Sequence, residues 1–196
     1  MSPERIRASV VVKVGGSLFD LDDLGSRLGS WLVENDFEDV LLVPGGGSFA
    51  NVVRQLDCRH GLGEEQSHWL AVASLSVAAR FLAAIVPGAV LASDWRDCAD
   101  AWKTHRIPVL DPNRIVSETS DFDSLPHSWK VTSDSLAAKI ASITKARLLI
   151  LLKSVALPEG WSWSEAGNHG YVDPCFAELV DGSFNVQFVN FRHAHS

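Results

Sequence analysis

Val10-Val-Val-Lys-Val-Gly-Gly-Ser-Leu18 joins an apolar run, a lysine and a pair of glycines in one short segment. Three consecutive β-branched valines suit a buried strand. Two residues after Lys13, the Gly15-Gly16-Ser17 turn leads toward a helix that the spacing starts near Asp22. A strand that ends in glycines presents bare main-chain N–H groups, and a lysine beside them adds fixed positive charge. That combination binds phosphate. A plain strand followed by a tight turn has the same local signature, so the rest of the chain has to discriminate.

Downstream, Leu21, Leu24, Leu28, Trp31 and Leu32 recur at helical steps and form one apolar face. Val40-Leu-Leu-Val43 is a second apolar run, and it stops at Pro44-Gly-Gly-Gly47. Phe49, Val52, Val53 and Leu56 then restore helical spacing, with Ser48 placed as the N-cap. Strand, glycine loop and helix therefore occur twice in succession. The spacing predicts a long helix from Glu64 to about Ile85, a strand over Ala89–Ala92, a helix from Asp94 to His105 and a strand over Ile107–Leu110. Residues 111–130 read as a long loop rich in Pro, Asn, Ser and Asp. A helix resumes at Ser133, and Leu148-Leu-Ile-Leu-Leu152 reads as a strand ending at Lys153-Ser154. Pro158 to Pro174 carries turn chemistry with exposed aromatics, and a short helix near Pro174–Val180 and a strand at Val186–Phe191 follow.

Strands alternating with helices predict an α/β protein, a three-layer α/β/α sandwich on a mainly parallel sheet. In such sheets ligands gather at the carboxyl ends of the strands. Lys13, Gly15, Gly16, Gly45, Gly46, Gly47 and Lys153 all fall there. The glycines do not follow the Gly-x-x-x-x-Gly-Lys-Ser/Thr order of the P-loop, nor the Gly-x-Gly-x-x-Gly order of a dinucleotide site. Two glycine loops facing one another suit two anionic groups, a donor and an acceptor.

Composition narrows the partners. The chain has 196 residues, 46% of them hydrophobic, enough for one domain with a full core. A net charge of −7 without a basic run argues against a nucleic-acid surface. Arg5 and Arg7 precede a strand and not the apolar core of a signal peptide. The apolar stretch from Trp69 to Val90 is broken by Arg80 and serines, so it reads as buried and not as a membrane span. Cys58, Cys98 and Cys175 lie far apart and outside any Cys-x-x-Cys spacing. Reduced thiols in the cytoplasm are expected, and no metal site is; His193 and His195 are the nearest histidine pair, in the C-terminal tail.

Lys13-x-Gly15-Gly16-Ser17, Gly45-Gly-Gly47 and Thr132-Ser-Asp134-Ser-Leu-Ala-Ala138, in that order, resemble the motifs of the amino acid kinase family. The resemblance covers nearly the whole chain and implies a carbamate kinase-like fold. It treats residues 1–196 as one domain, with an acceptor-binding part to about residue 130 and a nucleotide-binding part from about residue 131. It implies ATP as donor and Mg2+ held mainly on the ATP phosphates. Lys13 then bridges donor and acceptor, Gly15 and Gly16 hold the transferring phosphoryl group with Ser17 and Ser154 nearby, Lys153 supplies a second charge, and Asp134 orients the lysines. Such transfer needs in-line positioning and positive charge more than covalent help. The family's Asp-Gly-Val-Tyr is replaced by Val155-Ala-Leu-Pro-Glu-Gly160, which implies an abbreviated C-terminal nucleotide lobe.

Arg54-Gln-Leu-Asp57, Gly61-Leu62, His68-Trp69-Leu-Ala71 and Leu125-Pro-His-Ser-Trp129 resemble the small kinases of methanofuran biosynthesis within this family. That branch implies an aminomethylfuran-methyl phosphate as acceptor, converted to its diphosphate. An acceptor with a phosphate, a ring and an amine needs a basic group, a stacking wall and an acid. Arg54 is the candidate for the phosphate, His68, Trp69, His127 and Trp129 for the wall, and Asp57 for the amine. Gly45, Gly46, Gly47, Thr132 and Ser133 complete the acceptor side. Isopentenyl phosphate or uridylate-type acceptors, and a non-catalytic oxyanion-binding or storage role, are the alternatives. A homo-oligomer, a dimer first, is the expected assembly.

Overall fold

The computed structural model describes residues 6–180 and 182–193; Arg5 and His195 lie outside them. Six strands form one sheet: β1 (Val10–Val14), β2 (Val40–Pro44), β3 (Ala89–Ala92), β4 (Ile107–Leu110), β5 (Leu148–Lys153) and β6 (Asn185–Asn190). Their order is β3-β4-β2-β1-β5-β6, and every pairing is parallel. β1 sits between β2 and β5, with Lys13 opposite Val43 and Leu151 and Val14 opposite Pro44 and Leu152. The carboxyl ends of these three strands are therefore level, and the glycine turns that follow β1 and β2 emerge side by side.

The helices are α1 (Leu24–Glu34), α2 (Gly47–His60), α3 (Glu64–Ile85), α4 (Trp95–Lys103), α5 (Pro112–Glu118), α6 (Ser133–Ile143), α7 (Trp163–Asn168) and α8 (Phe176–Leu179). Alternation along the strands divides the core in two. Val11, Leu41, Val43, Leu149 and Leu151 face one way and pack with Leu136 and Ile140 of α6. Val10, Val12, Val14, Leu42, Ile150 and Leu152 face the other and pack with Leu24, Leu28 and Trp31 of α1. Lys13 shares the period of Val11, and Lys153 shares that of Leu149 and Leu151, so both lysines lie on the α6 side. All of β1 is buried; each of its valines contributes roughly 1.5–3 kcal/mol on leaving water. That holds Lys13 in place despite its own burial.

Several element boundaries differ from expectation. Residues 111–130 are not one loop: α5 starts at Asp111-Pro112, an Asp N-cap whose side chain accepts from Asn113 N, followed by proline in the first turn. A 3₁₀ turn follows at Ser120–Phe122, and Ile115, Val116 and Phe122 enter the core. Their apolar positions are too few to show a period. α2 begins one residue before Ser48, with Gly46 at the cap, and Gly47 takes φ +53° at this turn. After Gly15 comes a 3₁₀ turn at Gly16–Leu18, and α1 starts at Leu24. Within Pro158–Pro174, Ser162 and Glu165 form a capping box that starts α7. Its aromatics are half-buried: Trp163 packs edge-on against Phe176, and Trp161 against His169 and Tyr171. α3 is long and apolar enough to cross a membrane by length and composition, yet Val72, Leu75, Ala79 and Leu82 are buried in the two cores.

Candidate active site

At the level edge of the sheet, Asp134 stands between two lysines. It lies in the first turn of α6, and its Oδ1 is 2.7 Å from Lys13 Nζ while its Oδ2 accepts from Lys153 Nζ at 2.7 Å. Lys153 Nζ also donates to the Tyr171 carbonyl at 2.8 Å. All three side chains are withdrawn from solvent, at 5%, 6% and 13% exposure for Lys13, Asp134 and Lys153. Burial works to raise the Asp134 pKa, but the two ammonium groups outweigh it and hold the carboxyl below its ordinary range. Burial and the charge of Lys13 push Lys153 down to about 8, against the attraction of Asp134. The result is a buried pair of positive charges with one counter-charge, poised to attract an anion.

Beside this array the two glycine turns touch. A Cβ on Gly16 would lie 2.0 Å from Gly47 N, and one on Gly45 would lie 2.4 Å from Gly16 N, so only glycine allows the approach. Gly15 N donates to Leu152 O and Gly45 N to Val14 O, both at 2.8 Å. Their amides therefore close the sheet and are spent, which corrects the role expected of Gly15. The amides at the starts of the 3₁₀ turn (Gly16, Ser17) and of α2 (Gly47, Ser48) are the ones a helix start leaves without an internal partner. Ser17 Oγ donates to Ser154 Oγ at 2.9 Å and ties the first turn to the end of β5.

α6 is held by a residue with no obvious signal in the sequence. Asp173, buried, accepts from Thr132 N at 2.9 Å, Thr132 Oγ1 at 2.8 Å, Ser135 N at 3.0 Å and Ser135 Oγ. Burial raises the pKa of this carboxyl, against the hydrogen bonds from Ser135. The segment from Tyr171 to Asp173 thus grips both Lys153 and the start of α6. Asp173-Pro174 sits in a glycine-rich stretch whose composition signals only a turn.

A cleft of about 620 Å³ opens over the array, walled by Lys13, Gly16, Ser17, Gly46, Gly47, Arg54, His68, Trp129, Thr132, Ser133 and Arg192, among others. Arg54 and Asp57 do not form a simple helix-surface pair: the Arg54 guanidinium lies 4.5 Å from the Trp129 ring centroid, and Trp129 Nε1 donates to Asp57 Oδ2 at 2.9 Å. That bond holds the Asp57 carboxyl below its usual range. Asp57 is not among the residues that wall the cleft, and one of its oxygens is taken by Trp129. His68, 4% exposed, stacks on His127 with centroids 5.3 Å apart and meets Trp69 edge-on. Burial lowers its pKa, against the Ser128 main chain. Trp69 and His127 wall a separate cavity of about 120 Å³ behind His68, not the main cleft.

Of the residues singled out in the sequence, Lys13, Gly16, Ser17, Gly46, Gly47, Arg54, His68, Thr132 and Ser133 converge on this cleft, and Asp134, with Lys153 on its other oxygen, is joined to the cleft through its ion pair with Lys13. Gly15, Gly45 and Ser154 stand just outside it and shape its rim. Arg192, which follows β6, was not foreseen, because a single arginine near the end of a chain carries no pattern.

The Amino acid kinase family profile matches residues 8–156. The [5-(aminomethyl)furan-3-yl]methyl phosphate kinase of Methanocaldococcus jannaschii is 34% identical over 147 residues, which is 74% of this chain. The match spans 65% of that relative, under two thirds of its length. The crystal structure of uridylate kinase from Archaeoglobus fulgidus superposes with a TM-score of 0.64 at 19% identity, over 92% of this chain and 90% of the other. The UMP kinase of Bacillus anthracis gives 0.65 at 13% identity, over 97% and 90%. These two likenesses concern the fold. With the profile running from two residues before β1 to beyond the end of β5, the chain belongs to the amino acid kinase family.

Proposed function

We propose that the chain is an ATP-dependent kinase that transfers the γ-phosphoryl group to the phosphate of a small acceptor, [5-(aminomethyl)furan-3-yl]methyl phosphate first. The observation that carries this reading is Asp134 bridging Lys13 and Lys153, with Lys13 on the wall of a cleft edged by helix-start amides. In the transfer, an acceptor oxygen forms a bond to the γ-phosphorus as the bond to the β–γ bridging oxygen breaks, and ADP leaves. Negative charge gathers on the equatorial and bridging oxygens, where lysines and oriented amides are effective.

The charge state of Asp134 supports an acceptor that is already an anion. A hydroxyl acceptor gives up a proton and benefits from a base. A monophosphate has lost its second proton near neutrality, with a pKa of about 6, and needs none. Asp134, held as a carboxylate by two ammonium groups, serves as their orienting counter-charge. On the acceptor side, Arg54 on the Trp129 face suits a phosphate, and Trp129 and His68 offer flat walls to a ring. The name of the Methanocaldococcus relative points the same way.

Among the described residues no group of three or more His, Cys, Asp or Glu side chains is arranged to hold a metal ion. Magnesium then belongs on the nucleotide phosphates, where it would neutralise charge on the departing ADP. Assembly as a homodimer and residence in the cytoplasm are part of the same proposal. They are supported by exposed Val52, Leu56 and Val77 on α2 and α3 and by three unpaired cysteines.

The test is ADP formation by the purified chain with magnesium ATP and a panel of monophosphates: the aminomethylfuran compound, isopentenyl phosphate and UMP. Turnover is expected with the first at a kcat/KM well above the others. Preference for another member would reassign the acceptor. ATP binding without turnover on any of them would favour the oxyanion-binding role.

A further inference from the structure

Arg192 follows β6 and, like Arg54 of α2, lines the cleft. Its Nη2 donates to Ser17 O at 2.8 Å and to both oxygens of Asp20 at 2.6 and 2.8 Å. Arg27, on α1, holds the carbonyls of Phe191 and Arg192 at 3.3 Å each. The segment after β6 is thereby fastened across the 3₁₀ turn that carries the Gly16 and Ser17 amides. One nitrogen of the Arg192 guanidinium makes all of these bonds. Its Nε and Nη1 have no partner among the described residues, the side chain is 31% exposed, and it forms part of the cleft wall.

A guanidinium presents five donors in a planar fork that matches two oxygens of a phosphate. Here one arm is anchored and the rest is offered to the cavity, so the head group is already ordered before a ligand arrives. We propose that Arg192 is a phosphate-binding residue of this cleft, taking phosphate oxygens on Nε and Nη1 while Nη2 keeps the Ser17 turn in place. The proposal rests on the kinase reading. The phosphate belongs either to the nucleotide or to the monophosphate acceptor, whose chemistry at this point is the same.

Equilibrium titration separates these sources without requiring turnover. The full chain and the variants Arg192→Met and Asp20→Asn are titrated calorimetrically with two probes: magnesium adenylyl imidodiphosphate, and phenyl phosphate as an aromatic monophosphate. Arg192→Met is expected to weaken one probe about tenfold or more and the other much less; the probe that responds names the phosphate. Asp20→Asn keeps the cation and is expected to bind both probes at least as well as the unaltered chain. Where Arg192→Met melts early, Arg192→Gln, which retains an amide donor for Ser17 O, is read in its place.

Binding of both probes within twofold after loss of Arg192 overturns the proposal. So does an equal weakening by Asp20→Asn, which would make the clasp on the turn the whole role. An unaltered chain that binds neither probe defeats the kinase reading itself and this proposal with it.

Discussion

Replacing Asp134 by Asn leaves the shape of the site and removes the one charge that keeps two buried ammonium groups together. Both contacts are 2.7 Å, and the carboxylate is 6% exposed, so solvent does little to screen the loss. Breaking a buried ion pair costs about 3–5 kcal/mol, because the remaining charge is uncompensated. Lys153 has an escape: its pKa is already down to about 8 with Asp134 present. Without the carboxylate it falls further, and at pH 7 the lysine sheds its proton. The variant therefore carries one cation at the transfer point instead of two, with a loss in kcat of about 10²–10³ for a removed stabilising group. Its melting temperature drops by roughly 10 °C at pH 6, and by less at pH 9, where a neutral Lys153 no longer repels Lys13. Steady-state kinetics and calorimetry over pH 6–9 measure both. An Asp134→Asn protein with unchanged kcat and an unchanged melting temperature across that range would refute the reasoning.

In the unaltered chain, kcat/KM should fall above pH 8 as Lys153 loses its charge, and Lys153→Arg should carry the limb to higher pH; a pH profile of both decides it. Stability has the opposite sign there. Lys153 drops from 10.5 to about 8 on folding, so between those values the unfolded chain binds more protons, and this group adds stability as pH rises, about 1.4 kcal/mol per unit. Asp134 is lowered, so its contribution is present above the ordinary carboxylate value and is lost as acid takes the pH down through its folded pKa. Gly47→Ala places a Cβ 2.6 Å from Gly16 O at φ +53°; it should separate the two turns and abolish nucleotide binding in calorimetry. Trp129→Phe keeps the ring under Arg54 and loses the bond to Asp57; it should raise the acceptor KM several-fold and leave the ATP KM unchanged.

The strands, their parallel arrangement and the edge at which the site forms were legible because β1, β2 and β5 are buried on both faces and read as continuous apolar runs. Lys13, Asp134 and Lys153 were visible because each breaks a regular pattern at a strand end or helix start. Period two along β5 even puts Lys153 on the same face as Lys13. The hidden parts depend on contacts made across long separations. Asp173 reaches back to Thr132 and Ser135, Asp57 reaches forward to Trp129, and Arg192 closes on Ser17 and Asp20. Nothing local marks those partners. The spent amide of Gly15 is a matter of register: its N–H faces Leu152 O only because β1 and β5 pair in parallel with Val14 opposite Leu152. The α5 turn escaped because a seven-residue helix shows too few turns for a period to emerge.

The central claim is that Lys13, Asp134 and Lys153 move a phosphoryl group from ATP onto a phosphate. Phosphorus-31 NMR of the chain with magnesium ATP and [5-(aminomethyl)furan-3-yl]methyl phosphate follows donor, acceptor and product together. The account predicts ADP and the acceptor diphosphate appearing in equal amounts, and neither with Lys13→Met. Release of inorganic phosphate in place of the diphosphate, or full transfer by Lys13→Met, would contradict it.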